Sequence, residues 1–210
     1  PLILTYIIST IVEKIFFISF KHKGKQRHQS IVGLKTIAIT ASFGKTSIKN
    51  YLYHVLKEKY KVYKTPRSVN TIAGIVLDVN KDLPLDTQVY IAEAGARVTG
   101  DIEEITMFLE PQICVIGSVG EQHIEYFKTL DNIIHTKMEL LKSPKMKMGF
   151  VHESVPSVMR TVVLQHTVCT RTQQPPPSQH STQQTAAAPA WPAPGPSPGR
   201  TPRRWRPARR

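Results

Sequence analysis

The sequence predicts an α/β fold: a parallel sheet with helices on both faces, followed by a disordered C-terminal tail. Three observations predict it. Between residues 36 and 152, short β-branched apolar runs alternate with longer amphipathic stretches. The first run leads through a Gly-Lys-Thr turn directly into a helical pattern. After residue 156 the composition changes abruptly to Pro, Gln, Ser, Ala and Arg. The domain reading is therefore an apolar and basic N-terminal segment over 1–35, a sheet domain over 36–152 and a tail over 157–210.

The first 20 residues, PLILTYIISTIVEKIFFISF, are strongly apolar, with Glu13 and Lys14 interrupting the run. A basic cluster follows, from Lys21 to Arg27. A spanning helix needs about 20 apolar residues with few charges. The two charges favour a surface-lying or packed helix over a spanning one, with residues 1–27 a candidate for peripheral contact with anionic headgroups. The positive charges follow the apolar run, which is the wrong order for a signal peptide.

TIAIT (36–40) reads as a strand. SIKNYLYHVLKEKY (47–60) places Ile48, Leu52, Val55 and Leu56 on one helical face. KVYKT (61–65) reads as a strand ended by Pro66. TIAGIVLDVNKDL (71–83) reads as a helix despite Gly74. VYIAEA (89–94) is a strand. DIEEITMFL (101–109) is a helix with acidic residues in its first turn and Pro111 beyond its end. ICVIGSV (113–119) is a continuous apolar strand. TLDNIIHTKMELL (129–141) is a helix with Ile133, Ile134, Met138 and Leu141 as its apolar positions. MGFVH (148–152) opens a further strand.

Residues 1–156 hold 17 Lys and 3 Arg against 15 acidic residues, whereas 157–210 hold 8 Arg and no acidic residue. Most of the formal charge of +13 thus comes from the tail. A tail with PPP, PAPGPSPGR and RRWRPARR and few aliphatic residues cannot offset ordering entropy by apolar burial. Its exchange of Lys for Arg suggests a different coding origin, with nucleic-acid binding as the functional alternative. The sheet domain lacks a basic surface interleaved with aromatics, so specific nucleic-acid recognition is not expected. Cys114 and Cys169 form neither a metal spacing nor a disulfide framework.

The chemistry concentrates in Thr40-Ala41-Ser42-Phe43-Gly44-Lys45-Thr46-Ser47. Binding a phosphate calls for backbone N–H donors, a positive charge and a metal ligand. A tight turn into a helix N-terminus supplies the donors. Gly44 lets the backbone approach, Lys45 can reach the β- and γ-phosphates, and the Thr46 hydroxyl can ligate Mg²⁺. The general motif has a further Gly where this chain has Ile39. The alternative reading is an ordinary strand–turn–helix junction with an exposed lysine.

The shortened loop TASFGKTS resembles the nucleotide loop of the Mur ligase family of bacterial cell-wall synthesis. Three more segments match in the family's order: SVNTIAGI (68–75), EAGARVTGDIEEI (93–105) and EPQICVIGSVGEQHIEYFKTLDNIIHTKMEL (110–140). Gly-Ala-Arg at 95–97 and Gly-Glu-Gln-His-Ile-Glu at 120–125 look most like the branch that joins UDP-N-acetylmuramoyl-tripeptide to D-Ala-D-Ala. The resemblance implies a cytoplasmic ADP-forming amide ligase that uses ATP and Mg²⁺ through an acyl phosphate. It implies catalytic roles for Lys45, His123 and Lys137. Thr46 and Glu93 would ligate one Mg²⁺, and His123 a second near the acyl phosphate. Lys137 matches the lysine that several members carbamylate, which makes it a further metal ligand if so modified. Asn70 and Thr71 would line the substrate side.

Each residue also has a plainer reading. Glu93 could be a solvated strand-end carboxylate, His123 a capping or surface histidine and Lys137 an exposed helix lysine. Asn70 and Thr71 could simply cap the next helix. Only 39 residues precede Thr40, and the family's central domain continues past residue 152, so the chain is expected to be a ligase fragment without turnover of its own. The competing readings are a folylpolyglutamate-synthase-like ligase, a phosphate-loop kinase or NTPase, and a non-catalytic, membrane-associated ATP-binding module.

Overall fold

The computed structural model describes residues 2–122 and 124–156, and the backbone of 167–169. The chain order is α1 (Leu2–Ser30), β1 (Lys35–Thr40), α2 (Lys45–Leu56), β2 (Val62–Lys64), α3 (Ile72–Lys81), β3 (Val89–Glu93) and α4 (Asp101–Leu109). Then come β4 (Ile113–Ile116), α5 (Ile124–Phe127), α6 (Leu130–Met138), a 3₁₀ turn (Glu139–Lys142), β5 (Met148–Val151) and β6 (Thr167–Cys169). The strands form one sheet in the order β2-β3-β1-β4-β5-β6, and every neighbouring pair is parallel.

Every residue of β3 is buried, and so is all of β1 after Lys35. Central parallel strands are covered on both faces, which is why Ile37–Ile39 and Val89–Ala92 are apolar without alternation. Successive side chains point to opposite faces. Ile37, Ile39, Val89 and Ile91 meet Ile48, Leu52 and Leu56 of α2 on one side. Ala38, Tyr90, Ala92 and Cys114 join Ile75, Val76, Ile102, Ile105 and Phe108 of α3 and α4 in the larger core on the other. Helices therefore cover both faces, as expected.

β1 lies between β3 and β4, so the chain leaves β1 toward one side of the sheet and later crosses to the other. Ligands of open parallel sheets bind outside the strand C-termini at such a switch point. The end of β1 and the loop after it occupy that place.

The structure departs from the sequence reading in several details. The helix expected over 47–60 starts at Lys45, because the loop's last residues already form its first turn, and it stops at Leu56. On that helix Val55 is 71 % exposed, whereas Lys49 is buried among the apolar positions. The expected helix over 129–141 tightens into the 3₁₀ turn after Met138. The short helix α5 was not anticipated. The tail expected over 157–210 lies outside the described residues, except that the Thr167–Cys169 backbone pairs with β5. The sheet thus extends beyond residue 152.

The N-terminal segment forms a single 29-residue helix. Its C-terminal part packs on the domain. Lys21 pairs with Glu104 at 2.6 Å and Lys25 with Glu110 at 2.9 Å. Arg27 donates to the carbonyls of Val79 and Leu83 at 2.9 Å each. Gly24 permits this approach, since a Cβ there would sit 2.7 Å from Asn80 Nδ2. Buried His28 reaches Thr36 Oγ1 at 2.9 Å.

Candidate functional site

The loop after β1 is fixed by its contacts to the segment after β4. The Ser42 amide donates to Ser118 O at 2.8 Å. Ser42 Oγ donates to Gly120 O at 2.8 Å, and the Gly120 amide donates to Ser42 Oγ at 3.0 Å. The Gly117 amide donates to Thr40 O at 2.8 Å. A Cβ on Gly117 would lie 2.9 Å from both Ala41 Cβ and Ile48 Cδ1, so glycine is needed for this close approach. Gly44 caps α2 with φ at +80°, the left-handed turn that aims the first amides of α2 back into the loop. Phe43, Thr46 and Ser47 are exposed around the loop mouth.

Ile39, where the general motif has glycine, is fully buried and stands in register with Glu93. That position is still strand interior, so the loop begins one step later and a glycine would serve no turn. The same register places Glu93 beside the loop's origin.

Two lysines converge on one loop carbonyl. Lys45 Nζ donates to Ala41 O at 2.7 Å and Lys137 Nζ donates to it at 3.2 Å. Burial holds Lys45 below the usual lysine range, with the Glu93 charge opposing. Burial, and then the charge of Lys45, pushes Lys137 down to about 8. Lys137 is therefore not the exposed helix lysine of the plainer reading.

Glu93 is not solvated either. Its Oε1 lies 2.7 Å from Lys49 Nζ, and each side chain is 1 % exposed. The Lys49 ammonium also donates to Thr65 O at 2.8 Å and to Arg67 O. Glu93 Oε1 makes no directed hydrogen bond among the described residues, so its contact with Lys49 is an ion pair set by charge. Thr40 Oγ1 is likewise buried without a hydrogen-bond partner among them.

Thr71 does cap the next helix: its Oγ1 accepts from the Gly74 amide at 3.3 Å. Asn70 O accepts from the Gly95 amide at 2.8 Å, and a Cβ on Gly95 would lie 2.8 Å from Asn70 Cγ. Both residues also line a cleft of about 360 Å³ together with Lys45, Lys137, Gly95, Arg97, Asp101 and Gln122. Thr71 thus caps α3 while lining the cleft, and Asn70 lines the cleft without capping the helix. His123 lies outside the described residues, and its neighbour Gln122 lines the cleft.

Sequence reasoning missed Lys49, Arg97, Asp101 and Glu139. Asp101 Oδ2 accepts from the amides of Arg97 and Val98 at 2.7 and 3.0 Å, which shapes the cleft wall. Glu139 accepts from the amides of Gly100 and Glu103 at 2.8 and 3.0 Å, so a distant carboxylate caps α4. The signal for Lys49 was its spacing to Leu52 and Leu56, which puts it on the buried stripe.

Among the described residues no group of three or more His, Cys, Asp or Glu could enclose a metal ion. Mg²⁺ carried on a nucleotide needs only one or two protein ligands beside phosphate oxygens and water; of the two candidates, Thr46 is exposed at the loop mouth and Glu93 is buried against Lys49.

Residues 39–167 match the family model described as the Mur ligase middle domain. The chain belongs to the Mur ligase family. The UDP-N-acetylmuramoyl-tripeptide–D-alanyl-D-alanine ligase of Rickettsia prowazekii is 34 % identical over 109 residues, which cover 52 % of this chain and 24 % of that one. The ligase of the same name from Bacillus subtilis is 30 % identical over 114 residues, covering 54 % and 25 %. The MurF ligase of Thermotoga maritima, solved in complex with ADP, superposes with TM-score 0.68 at 28 % identity, covering 73 % of this chain and 36 % of that one. Escherichia coli FolC, solved with DHPP and ADP, shares the fold at TM-score 0.51 and 15 % identity, covering 72 % and 46 %. This Mur ligase chain spans about a quarter of the length of the curated relatives it matches.

Proposed function

We propose that the chain is the nucleotide-binding core of a cytoplasmic, ADP-forming amide ligase that joins UDP-N-acetylmuramoyl-tripeptide to D-Ala-D-Ala. Residues 36–152 with the strand at Thr167–Cys169 carry this core, and the rest of a whole ligase supplies the remaining substrate contacts. The observation that carries the reading is the convergence of Lys45 and Lys137 on Ala41 O, at the base of a cleft walled by Asn70 and Thr71.

In the reaction, a tripeptide carboxylate attacks the γ-phosphorus of ATP, giving an acyl phosphate and ADP. The amine of D-Ala-D-Ala then attacks the acyl carbon, and phosphate leaves with the bonding electron pair. Bringing a carboxylate against a triphosphate requires concentrated positive charge in a dry site. Lys45 turns from Ala41 O toward the β- and γ-phosphates, while the Gly44-capped amides of α2 hold the β-phosphate. Thr46 and Glu93 would hold one Mg²⁺ and His123 a second, and the bound ions would supply Lewis-acid charge compensation. Asn70 and Thr71 would line the substrate side.

Lys137 has the environment that carbamylation requires. Its pKa near 8 leaves a substantial neutral fraction at physiological pH, and the neutral amine is the form that adds CO₂ with loss of a proton. The product is a carboxylate able to bind metal. Carbon-13-enriched bicarbonate should give a carbamate NMR signal that Lys137→Met abolishes.

The deciding experiment is calorimetric titration of the chain with ATP and ADP, with and without Mg²⁺. Mg²⁺-dependent affinity that Lys45→Ala removes is expected. Equal binding by Lys45→Ala would overturn the reading. Catalytic turnover by this chain alone is not expected, because its relatives are about four times longer than the segment it shares with them.

A further inference from the structure

Helix α1 carries an apolar surface that the domain does not use. Its C-terminal part is docked through Lys21, Lys25 and Arg27, yet the most apolar stretch of the helix is not buried at all. Ile18, Leu4, Val12, Leu2, Tyr6 and Ile3 are all exposed. At ~100° per residue they follow one another around the circumference at intervals of no more than about 80°. A helix lying on a membrane surface, or packed against one protein face, keeps a polar side. This helix has none, so its surroundings must be apolar on every side.

Length agrees with a bilayer. Residues 2–20 extend roughly 28 Å as a helix, against a hydrocarbon core of ~30 Å. Two small polar side chains in the stretch, Ser9 and Thr10, are satisfied within the helix, as a lipid environment demands. Thr10 Oγ1 donates to Tyr6 O at 2.9 Å, and Ser9 Oγ donates to Glu13 Oε1 at 3.1 Å. Glu13 and Lys14 oppose insertion, and the flexible Lys14 stem can carry its ammonium toward the nearer interface.

We propose that α1 inserts across a lipid bilayer and tethers the nucleotide domain to its cytoplasmic face. The direction follows from the basic residues Lys21, Lys23, Lys25 and Arg27, which sit where the apolar stretch meets the domain. The helix runs without interruption from the apolar stretch into contacts with α3 and α4. The nucleotide domain is therefore held directly beneath the headgroups. A spanning α1 replaces the surface-lying or packed helix expected from Glu13 and Lys14, and it is independent of the ligase chemistry.

The test is flotation of the 210-residue chain with vesicles of pure phosphatidylcholine and of mixed phosphatidylcholine and phosphatidylglycerol. Insertion predicts flotation with both compositions that survives high salt and alkaline carbonate. It also predicts that Ile8→Lys/Val12→Lys leaves the protein unfloated. Binding confined to anionic vesicles and released by salt would reduce α1 to a surface contact and overturn the proposal. A protein that stays unfloated also overturns it; an oligomer by light scattering would then identify a second copy as the cover, and a monomer would leave α1 to another protein segment. Flotation by the double variant equal to the parent would refute the role of α1. ADP titration on the same samples reports the nucleotide reading separately.

Discussion

Lys49 and Glu93 form a buried ion pair, 2.7 Å from Nζ to Oε1, that links the helix after the phosphate loop to the end of β3. The Lys49 ammonium also binds the carbonyls of Thr65 and Arg67, so one side chain ties together three segments around the cleft. Removing one partner of such a pair leaves an uncompensated charge in the interior. Lys49→Met should therefore cost ~3–5 kcal/mol of folding stability. Lys49→Met/Glu93→Leu should recover most of that loss, because two apolar groups replace the pair together. Urea denaturation of the four members of the cycle checks this. A double variant no more stable than Lys49→Met would show that the carbonyl contacts, and not the charge pair, carry the stability.

That pair also marks where the sequence stops being legible. The central strands were readable because parallel strands covered on both faces carry apolar runs without alternation, as Ile37–Ile39 and Val89–Ala92 do. The phosphate loop was readable because Gly44 and Lys45 are chemically specific. Lys49 was not, since a lysine on an amphipathic helix is normally solvated and its partner lies on a distant strand. The same holds for Glu139, which caps a helix remote in sequence. Val55 was misplaced because periodicity defines a face only to within one residue, and the sheet decides which edge of the stripe is covered.

Two loop glycines should fail for different reasons. Gly44 has φ at +80°, and a Cβ added there would meet nothing within 4 Å. Gly44→Ala should cost about 1–2 kcal/mol through backbone strain alone. Gly117 has no such conformation, but a Cβ would press on Ala41 and Ile48 at 2.9 Å. Gly117→Ala should displace the loop, weakening ADP affinity more than tenfold, about 1.4 kcal/mol. Paired denaturation and ADP titration test the contrast. It fails if Gly117→Ala binds ADP like the parent.

His28 should set part of the acid limb of stability. Burial, reinforced by the Lys145 charge, lowers its pKa from 6.5 to about 4. Between those values the unfolded chain binds a proton that the folded chain does not. Stability is then lost as pH falls from about 6.5 to about 4, by on the order of 3 kcal/mol. His28→Gln, which can keep a hydrogen bond to Thr36, should flatten that limb in urea titrations at stepped pH. An unchanged slope would mean that His28 gains its proton in the folded state without penalty.

Lys137 should act in the opposite pH range. Its folded pKa of about 8 lies below the ordinary 10.5 because burial and the neighbouring Lys45 disfavour its charge. Below pH 8 both folded and unfolded chains carry the proton, and the folded state bears the full cost of a buried cation. As pH rises from about 8 to about 10.5 the folded chain has already released the proton and the unfolded chain has not. Stability attributable to this group therefore rises over that window, by up to about 3 kcal/mol. Lys137→Met removes the titration, so the difference between parent and variant should change across the window while other lysines and tyrosines cancel. Measurements in CO₂-free buffer and in bicarbonate separate this effect from carbamylation, which would replace the buried cation with an anion beside Lys45. A parent-minus-variant difference that stays flat in CO₂-free buffer would show that Lys137 keeps an ordinary pKa despite its burial.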